Sequence, residues 1–215
     1  HMNNCLVYTT LGGSHVEYSK LTIYMLQSVK EHLPNAQIAI ICNISFANYI
    51  KQNCSDIDFL HFQIFDTNIS NDEAAANKLK IFDFSDIYQY DSILYLDSDI
   101  ILKNSKNINI IIENIVSNEI VLVKEGNFDN FHWNIRKYSD EEKKYFNSQN
   151  KTTFNTGQFI FTPCRNIKKI FKLAYDSYKN NKNASLYEQG HLNDVLLNQD
   201  DVVLNYSLTQ TTLLH

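Results

Sequence analysis

Through its first hundred residues the chain alternates between short apolar runs and longer stretches whose apolar residues recur every three or four positions. "NCLVYTT" at 4–10 is the first such run and reads as a strand. The loop "LGGSHVEY" follows, and then 18–33, where Leu21, Met25, Val29 and Leu33 keep helical spacing until Pro34-Asn35 breaks it. "QIAIICN" and "DFLHFQIF" read as the second and third strands, with "FANYIKQNC" as a helix between them. "EAAANKLKIFDFSDIY" reads as one helix leading into Ile93, Leu94, Tyr95 and Leu96. That continuous apolar run suits a strand covered on both faces. The order β-α-β-α-β-α-β predicts a largely parallel sheet with right-handed crossovers.

The pattern continues more loosely. It predicts a helix near 107–117, the strand "EIVLVKE", the strand "GQFIFTP" at 157–163 and the amphipathic helix "NIKKIFKLAYDSYKN". A further helix is expected over "SLYEQGHLNDVLLNQ", and "DVVLNYSL" reads as a short last strand. Residues 126–150 are polar and aromatic with weak periodicity, and no element is predicted there. Trp133, the single tryptophan, lies among Phe128, Phe131 and His132 in that segment, either packed under a long loop or offered as a stacking surface. One α/β domain over 1–215 is the simplest account, with 1–103 reading as a nucleotide-binding half and 104–215 as supplying an acceptor side.

Composition narrows the class. Apolar residues make up 44% of the 215, enough for a sizeable core, and with 5 Gly and 2 Pro no linker is evident. The net charge of −5 disfavours a nucleic-acid-binding face. Cys5, Cys42, Cys54 and Cys164 are scattered, as free thiols in a reducing compartment would be. No stretch reaches the length of a membrane-spanning helix, no signal peptide is visible, and His1-Met2 reads as a tag remnant, so a cytoplasmic location is expected.

The chemistry concentrates where the buried run ends. Asp97 and Asp99 stand one residue apart just past Leu96. Such a pair can cap a helix or face water. In open α/β sheets, however, ligands bind outside the carboxyl ends of strands, and two close carboxylates repel unless a cation joins them. Hard oxygen donors suit Mn2+ or Mg2+. Lys78 and Lys80 read either as a solvated helix face or as cations for a phosphate or sugar oxygen.

Four motifs then stand in order: "VYTT", "NKLKIF", "LDSD", and "FNTG" followed by "EQGHLN". Together they resemble the retaining glycosyltransferases of family eight, the glycogenin and bacterial galactosyltransferase group, over nearly the whole chain. The resemblance implies a GT-A fold, a UDP-sugar donor, a manganese or magnesium ion, and transfer of a hexose to a hydroxyl of a sugar or protein-linked acceptor. It implies that Thr9 and Thr10 line the uracil and ribose pocket, that Tyr18 stacks on the base and that Lys78 contacts the donor. Asp97 and Asp99 match the metal-binding pair, and Ser98 between them offers its backbone to the ribose. Asn155 matches an asparagine that bonds sugar hydroxyls, and Gly157 allows close backbone approach. Glu188-Gln189 matches a pair beside the anomeric carbon, with Glu where the family has Asp. His215, after "TTLL", is either a third metal ligand or simply a terminal residue.

Three alternatives stand beside this reading. A phosphohydrolase of the haloacid dehalogenase type would use Asp97 as nucleophile, but it leaves "FNTG" and "EQGHLN" without a purpose. A non-catalytic homologue would bind a nucleotide sugar without turning it over. A nucleotidyltransferase would want a basic glycine-rich loop, and "LGGSH" carries no Arg or Lys.

Overall fold

Cys5–Thr10, six residues without an exposed side chain, form the central strand β1. The structure is a computed structural model describing residues 4–13, 16–64, 69–129, 134–181, 187–209 and 212–213. Helix α1 (Val16–His32) leads to β2 (Gln37–Ile41), and α2 (Ile44–Asn53) to β3 (Leu60–Phe62). Helix α3 (Asn71–Asn77) and two 3-10 segments, Lys78–Asp83 and Ser85–Gln89, precede β4 (Ser92–Leu96). The short β5 (Ile100–Ile101), α4 (Lys106–Asn114) and β6 (Glu119–Lys124) follow. Then come α5 (Asp140–Ser148), β7 (Phe154–Phe161), α6 (Arg165–Asn180), α7 (Gln189–Leu197), β8 (Val203–Asn205) and β9 (Thr212–Leu213).

The main sheet has the order β3-β2-β1-β4-β7-β6-β8, and β5 pairs with β9 apart from it. Strands β3, β2, β1 and β4 are mutually parallel, as the alternating pattern predicts. The sheet is nevertheless mixed, because β7 lies antiparallel between β4 and β6. Its core divides by strand alternation. Cys5 and Val7 of β1 point into one cluster with Met25, Leu26 and Ile50 of α1 and α2. Leu6 and Tyr8 point into the other, with Phe159, Phe161 and Phe171 of β7 and α6.

The short pair β5 and β9 was not expected, and two helical elements differ from expectation. The single helix over 73–88 is α-helical only to Asn77 and continues as 3-10 turns. In the first of these, Lys78, Leu79, Ile81 and Phe82 are all buried, so no solvent stripe remains to be read as an amphipathic helix. Conversely, α5 forms inside the segment where no element was predicted. Ser139 accepts from the Glu142 backbone, and Glu142 reaches back to the Ser139 backbone, a capping box that starts the helix.

The topology itself selects a site. The chain passes from β1 outward to β2 and β3, then returns to place β4 on the other side of β1. The loops leaving the carboxyl ends of β1 and β4 therefore diverge, and a crevice opens between them.

Candidate functional site

That crevice is a cavity of about 310 Å³. Ten of the twelve residues singled out in the sequence line it: Thr10, Tyr18, Lys78, Asp97, Ser98, Asp99, Asn155, Gly157, Glu188 and Gln189. Thr9 does not. It is fully buried, its neighbours two positions away in β1 point into the cluster under α1, and its Oγ1 has no hydrogen-bond partner among the described residues. His215 lies outside the described residues, as do Phe131, His132 and Trp133.

Local irregularity in β7 brings the "FNTG" stretch to the cavity. Pairing with β6 runs Leu122↔Phe159 and then jumps to Val123↔Asn155. Thr156, Gly157 and Gln158 thus bulge from the β6 ladder, while Gln158 stays paired with Leu96 and the Gly157 carbonyl accepts from the Asp97 N–H at 2.7 Å. A bulge of this kind re-aims side chains beside a site. Gly157 is required by close approach: a Cβ there would lie 2.8 Å from Asn155 Oδ1 and 2.9 Å from Asp97 Oδ2.

Lys78 forms the floor. Its Nζ lies 2.6 Å from Glu188 Oε1, 3.2 Å from Asp97 Oδ1 and 3.0 Å from the Thr156 carbonyl. Three acceptors match the three protons of an ammonium. It also sits 4.5 Å above the Tyr95 ring. Burial alone would lower its pKa, but the Asp97 and Glu188 carboxylates outweigh burial and the pKa is raised, so the cation persists. Lys80, by contrast, is paired with Asp83 near the surface.

A second chain of bonds orients Asp97. The Tyr95 hydroxyl donates to Asp97 Oδ1 at 2.6 Å, which leaves Thr10 Oγ1 as the donor in its 3.3 Å bond to Tyr95. Burial, and then the Asp97 charge, push the Tyr95 phenol well above its usual range and keep it a donor.

At the other wall, α7 is pinned to β7. Asn193 accepts from the Phe154 N–H at 3.0 Å and donates to the Phe154 carbonyl at 2.9 Å, closing a bond pair like that of a neighbouring strand. Its amide also donates to the Gln189 carbonyl at 3.0 Å. Gln189 Oε1 accepts from the Thr156 N–H at 3.2 Å, and Thr156 Oγ1 donates to Glu188 Oε1 at 2.8 Å. Arg136 braces the far face of α7, bonding Asp194 at 2.9 Å and Glu142 of α5 at 2.8 Å.

Three participants escaped the sequence reading. Tyr95 was read only as a strand residue, and Thr156 stood inside "FNTG" with no role of its own. Glu125 accepts from Gln189 Nε2 at 3.3 Å and Asn155 Nδ2 at 3.5 Å. It is solvent-exposed, yet crowding by the surrounding protein raises its pKa, partly offset by those two amides. The signal was available: β6 runs parallel to β4, so the residue just past β6 emerges at the same edge as Asp97.

Among the described residues no group of three His, Cys, Asp or Glu side chains could hold a metal ion. Asp97 and Asp99 still suit a hard divalent cation as part of a ligand set. Both hydrogen bonds to Asp97 fall on Oδ1. Its Oδ2 faces the space that the missing Gly157 side chain leaves, and Asp99 lines the same cavity.

No known family model matches the chain, and no curated protein matches it.

Proposed function

We propose that this α/β protein is a metal-dependent retaining glycosyltransferase that moves a hexose from a UDP-sugar to an acceptor hydroxyl. The resemblance to family eight motivates the reading. One observation carries it: stretches as far apart as Thr10 and Gln189, matched to separate roles in donor binding, converge on one cavity at the switch point of the sheet.

The roles follow from the contacts. Tyr18, more than a third exposed at the cavity wall, offers a face to the uracil. Asp97 and Asp99 would hold a manganese or magnesium ion, which neutralises charge developing on the leaving diphosphate. All three Lys78 protons are engaged by protein, so Lys78 serves to hold the Asp97 and Glu188 carboxylates together rather than to grip the donor directly. Glu188 Oε1 is occupied by Lys78 and the Thr156 hydroxyl, and its Oε2, without a partner among the described residues, is enclosed by protein. With Glu188 tied in this way, attack from the face of departure, the leaving phosphate taking the acceptor's proton, is favoured over a covalent intermediate. A glycosyl adduct trapped on Glu188 would overturn that choice.

Calorimetry tests the donor class. UDP and UDP-sugars should bind in the presence of manganese, and at about 100 times Kd should stabilise the fold by roughly 2.7 kcal/mol. ADP- and GDP-sugars should do less; a clear preference for a purine nucleotide would count against the reading.

Gln189 tests turnover. Its amide lies between Glu125 and Thr156, and its carbonyl keeps a second lone pair for charge growing at the anomeric carbon. Gln189→Ala should lower donor turnover about tenfold or more, ~1.4 kcal/mol, with little change in donor affinity. Loss of affinity with unchanged turnover would make Gln189 a binding residue alone.

A further inference from the structure

Tyr187 has no part in the roles assigned above, and its conformation is costly. Its φ of 43° lies in the left-handed region, which a bulky aromatic residue rarely adopts. No polar bond offsets the strain: the residue is 40% exposed, with no hydrogen bond or ring contact to another described residue. It nevertheless lines the cavity, directly before the Glu188–Gln189 pair. Strained backbone of this kind clusters at ligand-facing positions.

The cavity lining supplies the second half of the argument. Asn155 and Gln189 line the same cavity as Tyr187, and each carries an amide that donates and accepts hydrogen bonds. A pyranose presents an apolar C–H face and a rim of hydroxyls. An exposed aromatic ring on a wall that also carries two amides matches both, the ring taking the face and the amides the hydroxyls.

We infer that Tyr187 is the aromatic wall on which the transferred sugar packs, and so determines donor-sugar specificity. This rests on the nucleotide-sugar reading and assigns the base to Tyr18 and the sugar to Tyr187. The ring, not the hydroxyl, is the working part. Glycine at this position would be unstrained, so removing the side chain separates binding from folding.

The test is calorimetric titration of wild type, Tyr187→Phe and Tyr187→Gly, with manganese present. The probes are UDP and the UDP conjugates of glucose, galactose and their N-acetyl derivatives, and unliganded thermal melts accompany the titrations. Tyr187→Gly should weaken the best-bound UDP-sugar about five- to tenfold while leaving UDP unchanged. Tyr187→Phe should retain wild-type affinity, and Tyr187→Gly should melt no lower than wild type. Equal weakening of UDP and UDP-sugar would give the ring to the base and overturn the proposal. So would unchanged binding of both with a lowered melting temperature, which would make Tyr187 a structural residue. Wild type that binds UDP but none of the four sugars would also sink it. Wild type that binds no uridine ligand at all would overturn the nucleotide-sugar reading along with it.

Discussion

Lys78→Met is expected to destabilise the fold by about 3–5 kcal/mol, whatever the protein's substrate. The Lys78 ammonium is 3% exposed and is shared by Glu188, itself 2% exposed, and by Asp97. Without the cation, two carboxylates that converge on one point repel each other. Among the described residues Glu188 would keep only the Thr156 hydroxyl as a partner for Oε1, and Oε2 already has none. A buried charge with one hydrogen bond and no counter-ion is among the costliest arrangements in a core. The cause is charge imbalance rather than lost volume, since methionine fills nearly the same space. The double variant Lys78→Met/Glu188→Gln should therefore recover at least half of the loss. Urea unfolding of the two single variants and the double variant measures this coupling. Strictly additive losses would show that the two side chains act independently and that the triad is not the source of the effect.

This triad marks where sequence reading stops. Lys78 stands near Lys80 in a polar-looking stretch, and both read equally as solvated. Only the fold shows that Lys78 is enclosed by strands distant in sequence while Lys80 reaches the surface. The alternation of β and α elements was legible because burial on two faces and on one face leave different periods. The position of Asp97 and Asp99 was legible for the same reason, since the end of a buried run is the end of a strand. The direction of β7 was not, because it depends on which end of the sheet the chain re-enters, and an apolar run carries no arrow. Nor was the bulge that turns Thr156 and Gly157 toward the cavity, which is a mismatch between two strands rather than a property of either. Helix α5 was missed because its apolar stripe is weak, although Ser139 and Glu142 spell a capping box that the reading did not use. Thr9 and Thr10 were paired by resemblance, yet adjacent strand residues face opposite sides, and only Thr10 reaches the cavity.

Asp99→Asn should weaken manganese-dependent UDP binding by at least about a hundredfold. Loss of a residue that merely supports a metal ligand costs about 10–100-fold, and a ligand itself should cost more. Asparagine keeps the size of the side chain and removes the anionic oxygen that a hard cation prefers. Asp97→Asn should have a similar effect on binding, but it answers two questions at once. Asp97 also takes the Tyr95 hydroxyl and pairs with Lys78, so that variant disturbs the buried floor as well as any ion. The proposed metal role is therefore tested at position 99, apart from the Lys78 ion pairs. Titrations of UDP into wild type and Asp99→Asn, each with manganese and with a chelator, form the experiment. Wild type should lose most of its affinity when manganese is chelated. Asp99→Asn in manganese should match wild type in chelator, because the protein's own contacts through Thr10 and Tyr18 are untouched. That residual binding also reports that the cavity is still folded. If Asp99→Asn binds UDP in manganese as tightly as wild type does, the carboxylate at 99 holds no ion, and a metal-dependent transferase is the wrong reading of this cavity.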